Sequence, residues 1–140
     1  MARFSNLSRE RLASCDTRLQ LVMNKVITLF DITVLEGHRS VQRQTELYAQ
    51  GRTVPGQIVT TIDGIRRRGK HNWKPSKAVD VAPYPLDWND RERFVYMAGL
   101  ILGVAHANGI DLRWGGDWDE DNDLKDHNSP MDLPHFEVRD

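Results

Sequence analysis

A carboxylate in the middle of an apolar run is the first chemical signal in this sequence. Asp80 interrupts Ala78-Val79-Asp80-Val81-Ala82, and in an extended strand it points away from Val79 and Val81. If that face is covered, the charge needs a partner or a cation. His71 stands nine positions earlier, across a loop containing lysines and a proline. His135 opens a second alternation, His135-Phe136-Glu137-Val138, which puts Glu137 on the same face as His135. Two imidazoles and one carboxylate from separate elements, with a fourth position left to water, form the donor set of a catalytic zinc site. The same donors also take other divalent ions. Glu137 reads either as a group orienting a ligand imidazole or as a solvent-facing strand residue. His38, His106 and His127 are the competing imidazoles. The first two, beside a strand end and on a helix, have structural uses, and His127 is the alternative to His71.

A second run of carboxylates spans Asp117 to Asp123. Asp119, Asp121 and Asp123 alternate as in the first half of a calcium loop. The run is not an EF-hand, because Leu124 stands at the glycine position of such a loop and Pro130 at the twelfth. A solvated acidic loop is the first expectation, and a Ca2+ site on Asp119, Asp121 and Asp123 is the alternative.

These residues need elements to hold them. Leu19, Val22, Met23, Val26, Ile27 and Phe30 form one apolar helical stripe, with Thr17 and Gln20 spaced as a capping box at its start. A shorter helical turn precedes it, from Ser8 to about Cys15. Ile32–Glu36 has the β-branched content of a strand, and Ser40–Gln50 reads as a helix stopped by Gly51. Ile58–Ile62 and Ile65, around Asp63-Gly64, predict a small hairpin. The basic run Arg66-Arg67-Arg68 with Lys70 then reads as a solvated strand end, or as a subsidiary hold on an anionic substrate. Ala78–Ala82 is a strand closed by Pro83 and Pro85. A third main helix runs from Asn89 or Asp90 to Gly109, burying Phe94, Met97, Ala98, Ile101, Leu102 and Ala105. Ile110–Trp114 and His135–Val138 complete the strands. Three main helices alternating irregularly with short strands predict an α+β fold with a small, mostly antiparallel sheet.

The 140 residues fit a single domain spanning 1–140, with no separate binding domain expected. Lys+Arg 19 against Asp+Glu 20 give a net charge of −1, which offers nucleic acid or an anionic membrane no general attraction. One cysteine, Cys15, excludes an internal disulfide framework. No apolar run approaches a membrane span, and the first residues lack the apolar stretch of a secretory signal. Synthesis in a cytosol and a monomeric state are the expectations.

Three ordered blocks carry a resemblance. Gly37-His38-Arg39-Ser40 is followed by Gln44, Leu47, Tyr48 and Gly51; Lys70-His71-Asn72 leads through Pro75-Ser76 to Ala78-Val79-Asp80; Trp114-Gly115-Gly116-Asp117-Trp118 precedes Asp132-Leu133-Pro134-His135-Phe136-Glu137. Together they resemble the VanY-like D-alanyl-D-alanine carboxypeptidase and L-alanyl-D-glutamate endopeptidase family of zinc peptidases, which shares its fold with the hedgehog signalling domain, and most of all its short phage endolysins. The resemblance implies one Zn2+ on His71, Asp80 and His135, with Asp132 as the catalytic carboxylate acting on water. It also implies that Arg39 binds a substrate carboxylate or the developing oxyanion. Asp80 follows His71 by two positions more than is common in the family, which bears on loop shape. The implied activity is L-alanyl-D-glutamate endopeptidase action on peptidoglycan. The enzyme would wait in the host bacterial cytoplasm and reach the periplasm once a pore-forming partner releases it. A D-alanyl-D-alanine carboxypeptidase or dipeptidase is the alternative enzyme, and a non-catalytic zinc-containing binding module the alternative outside enzymes.

Overall fold

The structure is a computed structural model that describes residues 2–124 and 132–140; His127 and Pro130 lie outside the described residues. Helices α1 (Asn6–Ala13) and α2 (Thr17–Val26) lead into β1 (Ile32–Glu36) and α3 (Val41–Ala49). A single 3-10 turn, Lys70–Asn72, precedes β2 (Ala78–Pro83), α4 (Arg91–Ala107), β3 (Leu112–Trp114) and β4 (His135–Val138). Among the described residues the four strands form one sheet in the order β1-β2-β4-β3, and each pair of neighbouring strands is antiparallel. The α+β expectation holds: among the described residues α2, α3 and α4 are the three main helices, and the shorter helical turn expected from Ser8 is α1, which begins at Asn6.

Alternation along the strands sorts the two faces of the sheet. Val79, Val81, Phe136 and Val138 are fully buried and belong to one core with Leu19, Val22, Met23 and Val26 of α2 and Phe94, Met97, Ala98, Ile101 and Ala105 of α4. Each large side chain so buried contributes roughly 1.5–3 kcal/mol. Asp80, His135 and Glu137 are left on the opposite face. Pro83 is tolerated because β2 pairs with β4 only from Ala78 to Asp80 and meets β1 at its far end. At the sheet edge, the Val34 N–H donates to Ser8 Oγ at 3.0 Å and the Val34 carbonyl accepts from Arg11 at 3.0 Å. α1 thereby closes the edge of β1.

Two local expectations are corrected. The α2 cap is Asp16, whose carboxylate accepts from the Arg18 N–H; Gln20 donates instead to the Cys15 carbonyl, so no capping box forms at Thr17. The hairpin at 58–65 does not form. Ile58, Val59 and Ile65 are exposed and offer no buried face to pair. Asp63 Oδ1 accepts from the backbone N–H groups of Ile65, Arg66 and Arg67, making a side-chain-capped turn of the kind aspartate favours.

Candidate metal centre

Strand register builds the centre. Asp80 pairs directly with His135 on β4 and with Glu36 on β1, while Ala78 pairs with Glu137. Glu36, Asp80 and His135 therefore stand in one row across three strands. His71 arrives from the 3-10 turn, which is tied down on both sides. The Arg39 N–H donates to the His71 carbonyl at 2.7 Å, and Asn72 Nδ2 donates to the Arg39 carbonyl at 3.0 Å. Between His71 and Asp80 the chain passes through the exposed Trp73, Lys74 and Pro75 and still brings the two side chains to 3.2 Å.

His71 and His135 are buried, their ring centroids 5.2 Å apart. His71 Nε2 lies 3.2 Å from Asp80 Oδ1, and His135 Nδ1 lies 3.3 Å from the same oxygen. One donor atom from each of the three falls within 4.8 Å of the others. The outward nitrogens decide what this cluster wants. His71 Nδ1 is 2.8 Å from the Gly37 carbonyl, which can only accept, so that nitrogen carries the proton and Nε2 turns its lone pair inward. His135 Nε2 is 2.8 Å from Glu137 Oε1, which leaves His135 Nδ1 facing inward too. Two lone pairs and a carboxylate oxygen aimed at one point repel unless a cation or extra protons sit among them. The donor set and its outer hydrogen bonds suit a divalent metal ion.

Charge balance follows the same geometry. In the metal-free chain burial opposes an ionised Asp80, but contact with the His135 and His71 rings outweighs it and holds the carboxyl well below the usual range. Burial likewise opposes a charged His135, yet Asp80 and Glu137 hold its pKa up at about 9. Glu137 is itself depressed, its burial outweighed by His135.

Asp132 Oδ2 stands 4.0 Å from His135 Nδ1, and its side chain is half exposed. Burial, then the charge of Asp80, push its pKa above the ordinary carboxylate value. Gly115 makes room for it. A Cβ at that position would lie 2.2 Å from the Asp132 carbonyl oxygen, and the two residues are joined by an Asp132 N–H to Gly115 carbonyl bond of 2.7 Å. Trp114 Nε1 clamps the same turn through the Leu133 carbonyl at 2.7 Å. Arg39 is mostly buried. It makes a two-point contact with Glu36 and donates to Gln44 Oε1 at 2.9 Å, while one terminal nitrogen stands 3.9 Å from Asp80 Oδ2.

Sequence spacing alone did not reveal Glu36, Gln44 as an arginine partner, the Gly37 carbonyl or Trp118, whose ring lies 5.3 Å from that of His135. His38 is not part of the cluster; its Nδ1 is 2.9 Å from the Trp73 carbonyl. His106 belongs to the last turn of α4. In the acidic run, carboxylate oxygens of Asp117, Asp119 and Asp121 fall within 4.8 Å of one another. Asp123 lies outside that group and donates its N–H to Asp121 Oδ1.

The family model for phage L-alanyl-D-glutamate peptidases matches residues 1–139. The chain belongs to this family. An L-alanyl-D-glutamate peptidase of Escherichia phage T5 is 28% identical over 129 residues, covering 89% of this chain and 87% of the relative. The peptidoglycan L-alanyl-D-glutamate endopeptidase CwlK of Bacillus subtilis is 35% identical over 114 residues, 77% of this peptidase and 60% of CwlK, so this chain spans less than two thirds of that relative. The crystal structure of the Serratia marcescens L-Ala D-Glu endopeptidase ChiX shares the fold, with a TM-score of 0.74 at 24% identity over 99% of this peptidase and 90% of that chain.

Proposed function

We propose that this peptidase hydrolyses the L-alanyl–D-glutamate bond of peptidoglycan stem peptides, using a divalent cation, zinc by donor type, held by His71, Asp80 and His135. The observation that carries this reading is the convergence of two imidazole lone pairs and a carboxylate oxygen within 4.8 Å, with a second, half-exposed carboxylate beside them. When bound, such a cation lowers the pKa of a water to about 7 and polarises a carbonyl.

The chain's own residues supply the rest. Asp132 takes the proton released as water adds to the L-alanyl carbonyl carbon, and hands it to the D-glutamate amine as the C–N bond breaks. Glu137 fixes the proton of His135 on the outer nitrogen. Glu36 and Gln44 hold the Arg39 guanidinium still, and its remaining N–H groups serve a substrate carboxylate or the developing oxyanion.

Digestion of purified peptidoglycan by the zinc-loaded protein, followed by mass spectrometry, tests the reading. New D-glutamate amino termini are the expected product. Released D-alanine would make the chain a carboxypeptidase, and binding without any cleavage would make it a zinc-containing binding module. The substrate lies beyond the cytoplasmic membrane, and no described helix is long and apolar enough to cross one. The same reading has the enzyme reach the periplasm from the host cytoplasm through a pore-forming partner. Expression in host cells should lyse them only when such a pore is supplied.

A further inference from the structure

Charge is sorted along this chain despite a net value of −1. Positions 66–77 hold six cations, Arg66, Arg67, Arg68, Lys70, Lys74 and Lys77, and no acid; positions 117–123 hold five acids and no cation. The sheet order brings both runs to the metal centre from opposite sides. His71 lies within the basic run, on the β1 side, while Trp118 of the acidic run packs on His135 from the β3 side.

Half of the basic run is committed to the fold. Lys70 and Lys77 donate to the main-chain oxygen of Asp140 at 3.0 and 3.1 Å. Arg68 donates to the Asn72 carbonyl at 3.0 Å and lies 4.3 Å over the Trp73 ring, with Lys77 4.6 Å from the same ring. The other half is not committed. Arg66, Arg67 and Lys74 are exposed, and among the described residues no ion pair engages them. Asp63, whose carboxylate caps the backbone of the turn, holds Arg66 and Arg67 on the surface. The contact of Arg68 with Trp73 brings the stretches that carry Arg66, Arg67 and Lys74 together, and like charges gathered on one surface repel one another and attract anions.

We propose that Arg66, Arg67 and Lys74 form a docking face for the ionised carboxylates of intact peptidoglycan, holding the polymer against the His71 side of the centre. This rests on the proposed function for the identity of the polymer. The chemistry fits, because a glutamate continued through one of its carboxyl groups keeps the other as a free anion.

The test uses the full chain with Asp132→Asn, so that the polymer stays uncut, and measures co-sedimentation with purified sacculi. Adding Arg66→Gln, Arg67→Gln and Lys74→Gln should weaken retention roughly tenfold at low salt and flatten its dependence on salt between about 0.05 and 0.3 M. Circular dichroism should show the fold unchanged. Sacculi whose carboxyl groups have been amidated should retain the unsubstituted face no better than the triple variant does. Neutralising Asp119, Glu120 and Asp121 instead should leave retention equal or stronger. Undiminished retention of the triple variant, undiminished binding to amidated sacculi, or equally tight binding to anionic phospholipid vesicles would overturn the proposal. Cleavage by the unsubstituted enzyme is scored separately: stem cleavage with retention indifferent to these cations sinks only the docking face, and absence of cleavage sinks only the proposed function.

Discussion

Protons compete with the cation at His135. Without a metal, His135 titrates at about 9, above the ordinary value of about 6.5. The stability it contributes to the metal-free fold is present below about 6.5 and lost as pH rises through about 9. A cation needs the inward lone pair of that ring, so binding at pH 7 expels its proton and the affinity for zinc rises with pH until about 9. Titration calorimetry in two buffers of different ionisation heat should give at least one proton released per zinc at pH 7; identical heats in both buffers at pH 7 would contradict this. Asp132 is separable from metal binding, because it stands beside the donors and not among them. Asp132→Asn should keep the full zinc content and lower hydrolysis by about 10²–10⁴-fold. Loss of zinc from the variant, measured by metal analysis, would instead make Asp132 a ligand.

Turns between elements set how well those groups are aimed. Gly115→Ala would place a methyl carbon 2.2 Å from the Asp132 carbonyl oxygen, so the turn carrying Asp132 must shift. Zinc should still bind while hydrolysis falls by about 10²-fold, the cost of a misplaced catalytic group; full activity would show that the turn adapts. Gln44 joins a different pair of segments. It is buried, accepts from Arg39 and donates to the Ile62 carbonyl at 2.7 Å and to Thr60 Oγ1 at 3.2 Å. Gln44→Met keeps the volume and leaves those partners unpaired, at a cost of ~1–3 kcal/mol. Hydrogen exchange should quicken in residues 60–69 and stay slow in α2 and α4; uniform quickening would argue for global loosening instead. These cases also show what a sequence can reveal. Strand β2 was legible as an apolar run and Asp80 because it interrupts that run, while β4 was legible because apolar and polar residues alternate on it, with His135 and Glu137 on its polar face. The pattern at 58–65 misled because its apolar residues face solvent. Asp16 displaced Thr17 as a cap because its carboxylate also pairs with Arg18, a choice between neighbours that spacing cannot make. The tasks of Glu36, Gly37, Gln44 and Gly115 arise from contacts between distant segments, which no local pattern carries.

At the scale of the whole molecule, the centre and the core report on each other. The three donors come from the 3-10 turn, β2 and β4, so only the assembled fold offers them together, and a cation that binds the folded chain alone stabilises it by mass action. Cys15 gives a readout remote from the metal. It is 1% exposed, its Sγ reaches the carbonyls of Arg11 and Ala78 at 3.6 and 3.7 Å, and burial pushes its thiol up to about 12. Since the thiolate is the reactive form, alkylation at pH 8 requires the packing of α1 against the sheet to open. Where reclosing outpaces alkylation, the labelling rate measures the open population. Zinc at ~100 times its dissociation constant should then slow labelling of Cys15 by about 100-fold, with Asp132→Asn protected as well as the wild type and His71→Ala unprotected. Labelling that is fast in the folded protein, or indifferent to zinc, would separate the centre from the core that this architecture joins.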